Sequence, residues 1–388
     1  MLNILLRKKS ILLGVLGLLV FLALYFQSQN PLWNAHLQVD VWVWYTRLTA
    51  FFKHNSFGSY KDNELLPATL FYNFLPAIFS GWSKLNYALY LKAVIWLNLL
   101  IIFISFLLSR RRWQFLILIL CFGPISLFRF DTFAAFLIIL GLIFWQKQKL
   151  SFSGLALGLA TGIKIYPIIF LPYLFLLYRH QLPKLKKFIL FYLGAIILPV
   201  LIFFAFGGRW EQIAETLAFH KNKYVSIESV PASLLTATSL LKFHQPPPPL
   251  GGYGVWGINL NFITSLKLPF FNSIWLLPVG LFYLFLWFKR SYFKQFNFAI
   301  IFCLTLIFLV FSKNLNPQYI WWFLSLFPFL EFKKNNKLKY LLMFVLLAFI
   351  AIFDQLVYPL FYTQFIENFY QHNQQYAVFY CLLLRNLL

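Results

Sequence analysis

The chain has 388 residues, of which 61% are hydrophobic, 22% aromatic and only 11% charged, with a mean hydropathy of +0.74. Soluble domains carry about 25% charged residues, so this composition excludes a soluble enzyme, a disordered chain and a disulfide scaffold. Apolar runs that are continuous rather than alternating exclude a porin-type barrel, and a net charge of +23 placed in short clusters between those runs orients a membrane protein rather than gripping nucleic acid. What remains is an all-α polytopic membrane protein occupying 1–388 as a single integral-membrane domain, with about 11–12 spans of roughly 20 residues.

In chain order, Arg7-Lys8-Lys9 precedes a first span over Ile11 to Phe26, with no small-x-small cleavage site after it. A polar stretch, residues 27–84, forms a first large outer loop. Spans are predicted over Leu85 to Leu108, Trp113 to Phe128 and Thr132 to Trp145, then over two short pieces, Phe152 to Ile163 and Ile165 to Tyr178, hinged at Lys164. The seventh span is Phe188 to Phe206. A second large outer loop, residues 207–272, follows, in which Leu234 to Phe243 reads as a short interfacial or re-entrant helix. Further spans are predicted at Ser273 to Phe288, Phe298 to Phe311, Tyr319 to Leu330, Tyr340 to Tyr358 and Tyr376 to Leu388. Cys121, Cys303 and Cys381 all lie in apolar stretches, without disulfide or metal spacing.

With the amino terminus inside, 20 of the 33 basic residues fall on the cytoplasmic side and nine of the ten acidic residues fall outside. The acidic bias is not required by that rule and points to chemistry on the outer face of the cytoplasmic membrane. No Walker or Rossmann glycine loop occurs, so a cytoplasmic nucleotide-driven activity is not expected.

Five outer segments carry candidate residues. Asp40 precedes Trp42, Trp44 and Tyr45; aromatic faces stack on sugars while a carboxylate takes a hydroxyl proton. If that segment is helical, Trp44 shares the face of Asp40; an interfacial helix with its aromatics among lipid headgroups would carry the same residues. Arg129 and Asp131 flank Phe130 at an outer mouth, either as an ion pair or with Arg129 free for a phosphate and Asp131 a rival base. In Gly158-Leu159-Ala160-Thr161-Gly162-Ile163-Lys164-Ile165-Tyr166-Pro167 the small residues allow two short helices to pack closely. His220, Lys221, Lys223 and Glu228 gather groups suited to phosphate binding and proton transfer, or to a solvated loop. Lys313, Pro317, Gln318, Tyr319 and Trp322 close the set. Asp62 and Glu64, near the first loop's tip, are too few for calcium.

Together these pieces resemble the GT-C superfamily of integral-membrane glycosyltransferases, and specifically family 87, the polyprenyl-phosphate-mannose-type transferases. The resemblance rests on Asp40 with its aromatics, on Gly154 to Pro167 with Lys164, on His220 and Glu228-Ser229, and on Lys313, Pro317, Gln318, Tyr319 and Trp322. Asn316 stands where the family usually has Ser, and Arg129-Phe130-Asp131 replaces a Gly- and Asn-containing turn.

The resemblance implies a GT-C-like bundle and an inverting transferase on the outer face. It would draw a hexose, mannose above all, from a polyprenyl-phosphate carrier for a glycolipid or glycan acceptor. Asp40 would be the base; His220, Lys164, Lys313 and Arg129 would lie near the phosphate. Trp44, Tyr45, Asp131, Glu228, Gln318 and Tyr319 would orient substrates. No cofactor or obligatory metal is implied. The competing readings are a flippase for a lipid-linked sugar, which would not need Asp40 as a base, and a glycan polymerase or ligase.

Overall fold

The computed structural model describes residues 2–59, 64–245, 247–252, 255–263, 267–290, 295–332 and 336–362. The span expected at Tyr376 to Leu388, and with it Cys381, lies outside the described residues, as does Asp62. The described chain is helical almost throughout: α1 (Leu2–Gln29), α2 (Pro31–His54), α3 (Pro67–Ile78), α4 (Tyr87–Leu108), α5 (Arg112–Phe122), α6 (Asp131–Gln146), α7 (Leu150–Ile163), α8 (Leu171–Tyr178), α9 (Leu182–Ala205), α10 (Trp210–Asn222) and α11 (Val230–Phe243). A small hairpin of β1 (Pro249–Gly252) and β2 (Val255–Ile258) interrupts them. Then come α12 (Leu260–Ile263), α13 (Leu268–Ser273), α14 (Leu276–Phe288), α15 (Phe298–Phe311), α16 (Ile320–Leu324) and α17 (Lys337–Gln355).

Among the described residues, five stretches are long and apolar enough to cross a membrane: Leu12–Gln29, Tyr87–Leu108, Leu182–Ala205, Leu268–Phe288 and Lys337–Leu360. Others are shorter, and their breaks carry the sequence's helix-stopping signals. Gly123-Pro124 ends α5, Lys164 in extended conformation ends α7, and Pro317 opens a 3-10 turn before α16. The expected continuous span from Tyr319 to Leu330 is therefore replaced by a short α16 between two 3-10 turns, the second at Pro328.

Irregular backbone at such depth persists only where other groups meet its polar atoms. Here Thr69 Oγ1 donates to Ile163 O at the end of α7 (3.1 Å). Asn98 Nδ2 donates to Leu127 O (2.9 Å), while Asn98 Oδ1 accepts from Tyr72 OH (3.0 Å).

The stretch read as the first outer loop is largely the helices α2 and α3. Leu37, Val41, Trp44, Leu48 and Phe51 are buried along α2 at helical spacing, so the apolar stripe outweighs the segment's polar composition. Asn30 caps the helix start by accepting from Leu32 N (2.9 Å). In the second loop, α11 starts at Val230 rather than Leu234, because Ser229 caps it and Pro231 fits its first turn.

The small residues of α7 serve a partner other than the one expected. A Cβ at Gly158 would meet Tyr192 O at 2.3 Å, and one at Gly154 would meet Phe188 O at 2.4 Å. The glycines thus bring α7 onto α9, not onto the short helix that follows Lys164.

The two ends of the bundle differ in chemistry. At one end Arg110 contacts Glu331 and Gln146, and the Arg111 guanidinium lies 4.3 Å from the Tyr340 ring centre. The other end of α6 begins with Asp131, roughly 24 Å away for a helix of this length, and there the polar side chains converge.

Candidate active site

Three elements meet at that end: the middle of α2, the start of α6 and the break after α7. Asp40 Oδ2 pairs with Arg129 Nη1 at 2.7 Å, and Arg129 Nη2 donates to Tyr358 OH at 2.6 Å. Asp131 Oδ1 pairs with Lys164 Nζ at 3.2 Å and accepts from Trp322 Nε1 at 2.9 Å. Lys223 Nζ lies 3.4 Å from Glu64 Oε1, and His220 Nε2 is 3.1 Å from Glu64 O. Three carboxylates and three cations are thus matched in pairs, the arrangement that makes buried charge tolerable.

A cavity of about 260 Å³ is lined by Asp40, Trp44, Glu64, Asp131, Lys164, Tyr166, His220, Lys223, Asn316, Gln318, Tyr319 and Trp322, among others. A second, of about 370 Å³, is lined by Asp40, Glu64, Arg129, Glu228, Trp256, Gln318 and Tyr358, among others. Asp40 belongs to both, with a side chain 43% exposed, whereas Asp131 is 1% exposed. Lys164 lies over aromatic faces, its Nζ 4.5 Å from the Phe130 ring centre and 5.0 Å from that of Tyr319. Trp322 stacks on Tyr166 at 3.8 Å and on Tyr319 at 4.2 Å.

Electrostatics divide the groups. Removal from bulk water raises the Asp40 carboxyl above its ordinary value, with Arg129 pulling the other way. Burial acts on Glu64 in the same sense, but Lys223, Arg47, His220 and Lys164 together hold it below the usual carboxylate value. Burial, helped by Lys223 and Lys164, pushes His220 down to about 4, so its imidazole is neutral at pH 7.

Of the residues singled out in the sequence, Asp40, Trp44, Asp131, Lys164, His220, Gln318 and Tyr319 line the smaller cavity, and Arg129 and Glu228 line the larger. Three placements differ from the sequence reading. Arg129 and Asp131 do not pair with each other; each pairs across the fold. Tyr45 faces another way, its hydroxyl on Leu85 O (3.1 Å) and its ring against Trp42 and Tyr87.

Lys313 is not on the wall of either cavity. Its Nζ donates to Lys221 O (2.8 Å) and Lys223 O (2.6 Å), pinning the carboxyl end of α10. Burial and the nearby Lys223 lower that ammonium to about 8.

Glu64, Tyr166, Asn316 and Tyr358 join the site without having been predicted for it. The Tyr166-Pro167 pair beside Lys164 was a usable signal for the first tyrosine. Nothing local marks Glu64, whose partner Lys223 is 159 residues away. Among the described residues, no three His, Cys, Asp or Glu side chains gather as a metal set.

The fold and this cavity define a multi-pass membrane protein with an acid- and cation-lined polar site at one end of its helices. The profile of glycosyltransferase family 87 matches residues 66–312, more than half of the chain. The chain belongs to that family and is a membrane-embedded glycosyltransferase. The match takes in Asp131, Lys164, His220, Lys223 and Glu228, and leaves Asp40, Glu64 and the segment from Lys313 to Trp322 outside. Neither the curated proteins nor the solved structures include a match to this chain.

Proposed function

We propose that this glycosyltransferase moves a hexose, mannose in our reading, from a polyprenyl-phosphate carrier to a hydroxyl of a glycolipid or glycan, with inversion. The observation that carries the reading is the position of Asp40 on the wall shared by two cavities. The smaller cavity holds Lys164 and Lys223 and takes the donor; the larger, with Glu228 and Trp256, takes the acceptor.

The acceptor hydroxyl attacks the anomeric carbon from the Asp40 side. Its proton passes to the Asp40 carboxylate as the new C–O bond forms and the bond to the phosphate oxygen breaks. The departing lipid phosphate gains a negative charge in that step, and the ammonium groups of Lys164 and Lys223 stabilise it. Neutral His220 contributes a hydrogen bond there rather than a charge. Arg129 fixes the Asp40 carboxylate, and the narrow cavity's poorer solvation offsets the loss of basicity that such pairing brings. Asp131, already committed to Lys164 and Trp322, serves the donor side.

The segregation of basic clusters to the bundle end away from the cavity supports an outer-face site with the amino terminus in the cytoplasm. Lipid-borne sugars fit that side, where nucleotide sugars are absent.

The test is transfer from radiolabelled polyprenyl-phosphate mannose by purified protein and its Asp40→Asn variant, with folding followed by thermal melt. Asp40→Asn should retain donor binding and lose about 10²–10⁴-fold in turnover. Retained turnover in that variant, with loss in folded Asp131→Asn, would move the base to Asp131.

A further inference from the structure

A polar side chain inside an apolar helix is unfavourable unless the fold uses it, and α4 carries one at its middle. Asn98 is 0% exposed, and Val94, Ile95, Ile101 and Ile102, one turn to either side, are buried as well. Its amide meets three groups. Nδ2 donates to Leu127 O (2.9 Å) and to Arg129 O (3.4 Å), while Oδ1 accepts from the Tyr72 hydroxyl of α3 (3.0 Å). Carbonyl oxygens only accept, so the NH2 end is the one that must face them. Tyr72, itself buried, holds the amide in that sense from the other side.

The two carbonyls bracket Phe128 in the connection between α5 and α6, and that connection leads into both ion pairs at the start of α6. Arg129 reaches Asp40, and Asp131 reaches Lys164. Other side-chain bonds there are local: Thr132 Oγ1 donates to Ser126 O (2.6 Å), and Ser126 Oγ donates to Gly123 O (3.0 Å). They shape the connection without fixing where it stands. Asn98, 31 residues before Arg129, ties its backbone to α4 and, through Tyr72, to α3.

We propose that Asn98, oriented by Tyr72, is a positioning residue for the transfer reaction: it sets the backbone from Leu127 to Arg129 so that the guanidinium reaches the Asp40 carboxylate. Neither Asn98 nor Tyr72 lines either cavity, so the effect passes through Arg129 rather than through a contact with substrate. The inference rests on the reading of Asp40 as the base.

The experiment follows turnover and donor KM of the purified full chain against pH, with radiolabelled polyprenyl-phosphate mannose as donor and a glycolipid extract as acceptor. Asn98→Leu keeps the size of the side chain and suits its apolar surroundings, but leaves both carbonyls unmet. Arg129 then loses its placement beside Asp40, whose other charged neighbours are Glu64, Asp131 and Lys164. A carboxylate that loses its cation protonates at higher pH, so the acid limb of the turnover profile should move up by about one pH unit. Turnover at neutral pH should fall about 10–100-fold, as for a slight misplacement of a catalytic group, with donor KM little changed. Arg129→Met should move the limb in the same direction, and Asn98→Leu should add nothing to that shift in the double variant. Tyr72→Phe removes one hydroxyl and keeps the ring; it should give a smaller shift of the same sign, and it decides the question if Asn98→Leu does not fold. A purely structural Asn98 would reduce active protein equally at every pH. An acid limb that stays in place in folded Asn98→Leu, or in Tyr72→Phe where that variant decides, would overturn the inference and leave the assignment of Asp40 intact, as would shifts that add in the double variant. Wild-type turnover in Asp40→Asn would instead bring down the base assignment, and this inference with it.

Discussion

Arg129 and Asp131 stand two positions apart, yet each finds its counter-charge elsewhere in the fold. Asp131 opens α6, and residues at i and i+2 on a helical turn do not face each other. Arg129 is thereby free for Asp40 and Asp131 for Lys164. The same logic applies to His220, which burial and two lysines keep neutral. Its value in the fold is about 4, against 6.5 for the free side chain. Between those limits the unfolded chain binds a proton that the native protein does not, so stability falls as pH drops through the window. The loss is at most about 3 kcal/mol. Thermal midpoints in detergent should decline from pH 7 to pH 5, and His220→Asn should flatten that decline. An unchanged pH slope in the variant would show that His220 binds its proton equally in the folded and unfolded chain.

At the scale of elements, α7 and α9 approach as closely as they do because two glycines leave room for backbone oxygens. A side chain at position 158 would meet Tyr192 O, which belongs to a helix and cannot move aside cheaply. Gly158→Ala should therefore destabilise by about 1–3 kcal/mol, the usual cost of overpacking. Gly194→Ala, on the same pair of helices but with nothing within 4 Å of the added carbon, should leave the melting temperature nearly unchanged. Equal melting of the two variants would remove the close approach as the reason for the glycine. Lys313 is decided at this scale too. The last carbonyls of a helix lack partners within it, and this ammonium supplies them for α10, holding Lys223 in place beside Glu64.

For the whole molecule, charge separates along the bundle. Arg110, Arg111 and the start of α17 cluster at one end, while the cavity with Asp40, Glu64 and Asp131 occupies the other. A chain so divided should insert with its basic end in the cytoplasm. In a background lacking Cys121, Cys303 and Cys381, a cysteine at position 221 should react with a membrane-impermeant reagent in intact cells. One at position 337 should react only after permeabilisation. The opposite pattern would put the cavity on the cytoplasmic side.

Composition and apolar run length alone determined that this protein is a helical membrane protein, because hydrocarbon tolerates no other backbone arrangement with such runs. Local pattern also determined the break at Lys164, through the glycines before it and Pro167 after it, and the shared face of Asp40 and Trp44 on α2. Tertiary structure alone decided which charges meet. Trp322 reaches Asp131 across 191 residues, and His220 reaches Glu64 across 156. A carboxylate in a polar segment has the same local sequence signature whether it faces solvent or a cavity. Only the crossing of α2, the start of α6 and the break after α7 put Asp40 between two cavities, brought Glu64 in from the loop and turned Lys313 away to serve backbone carbonyls.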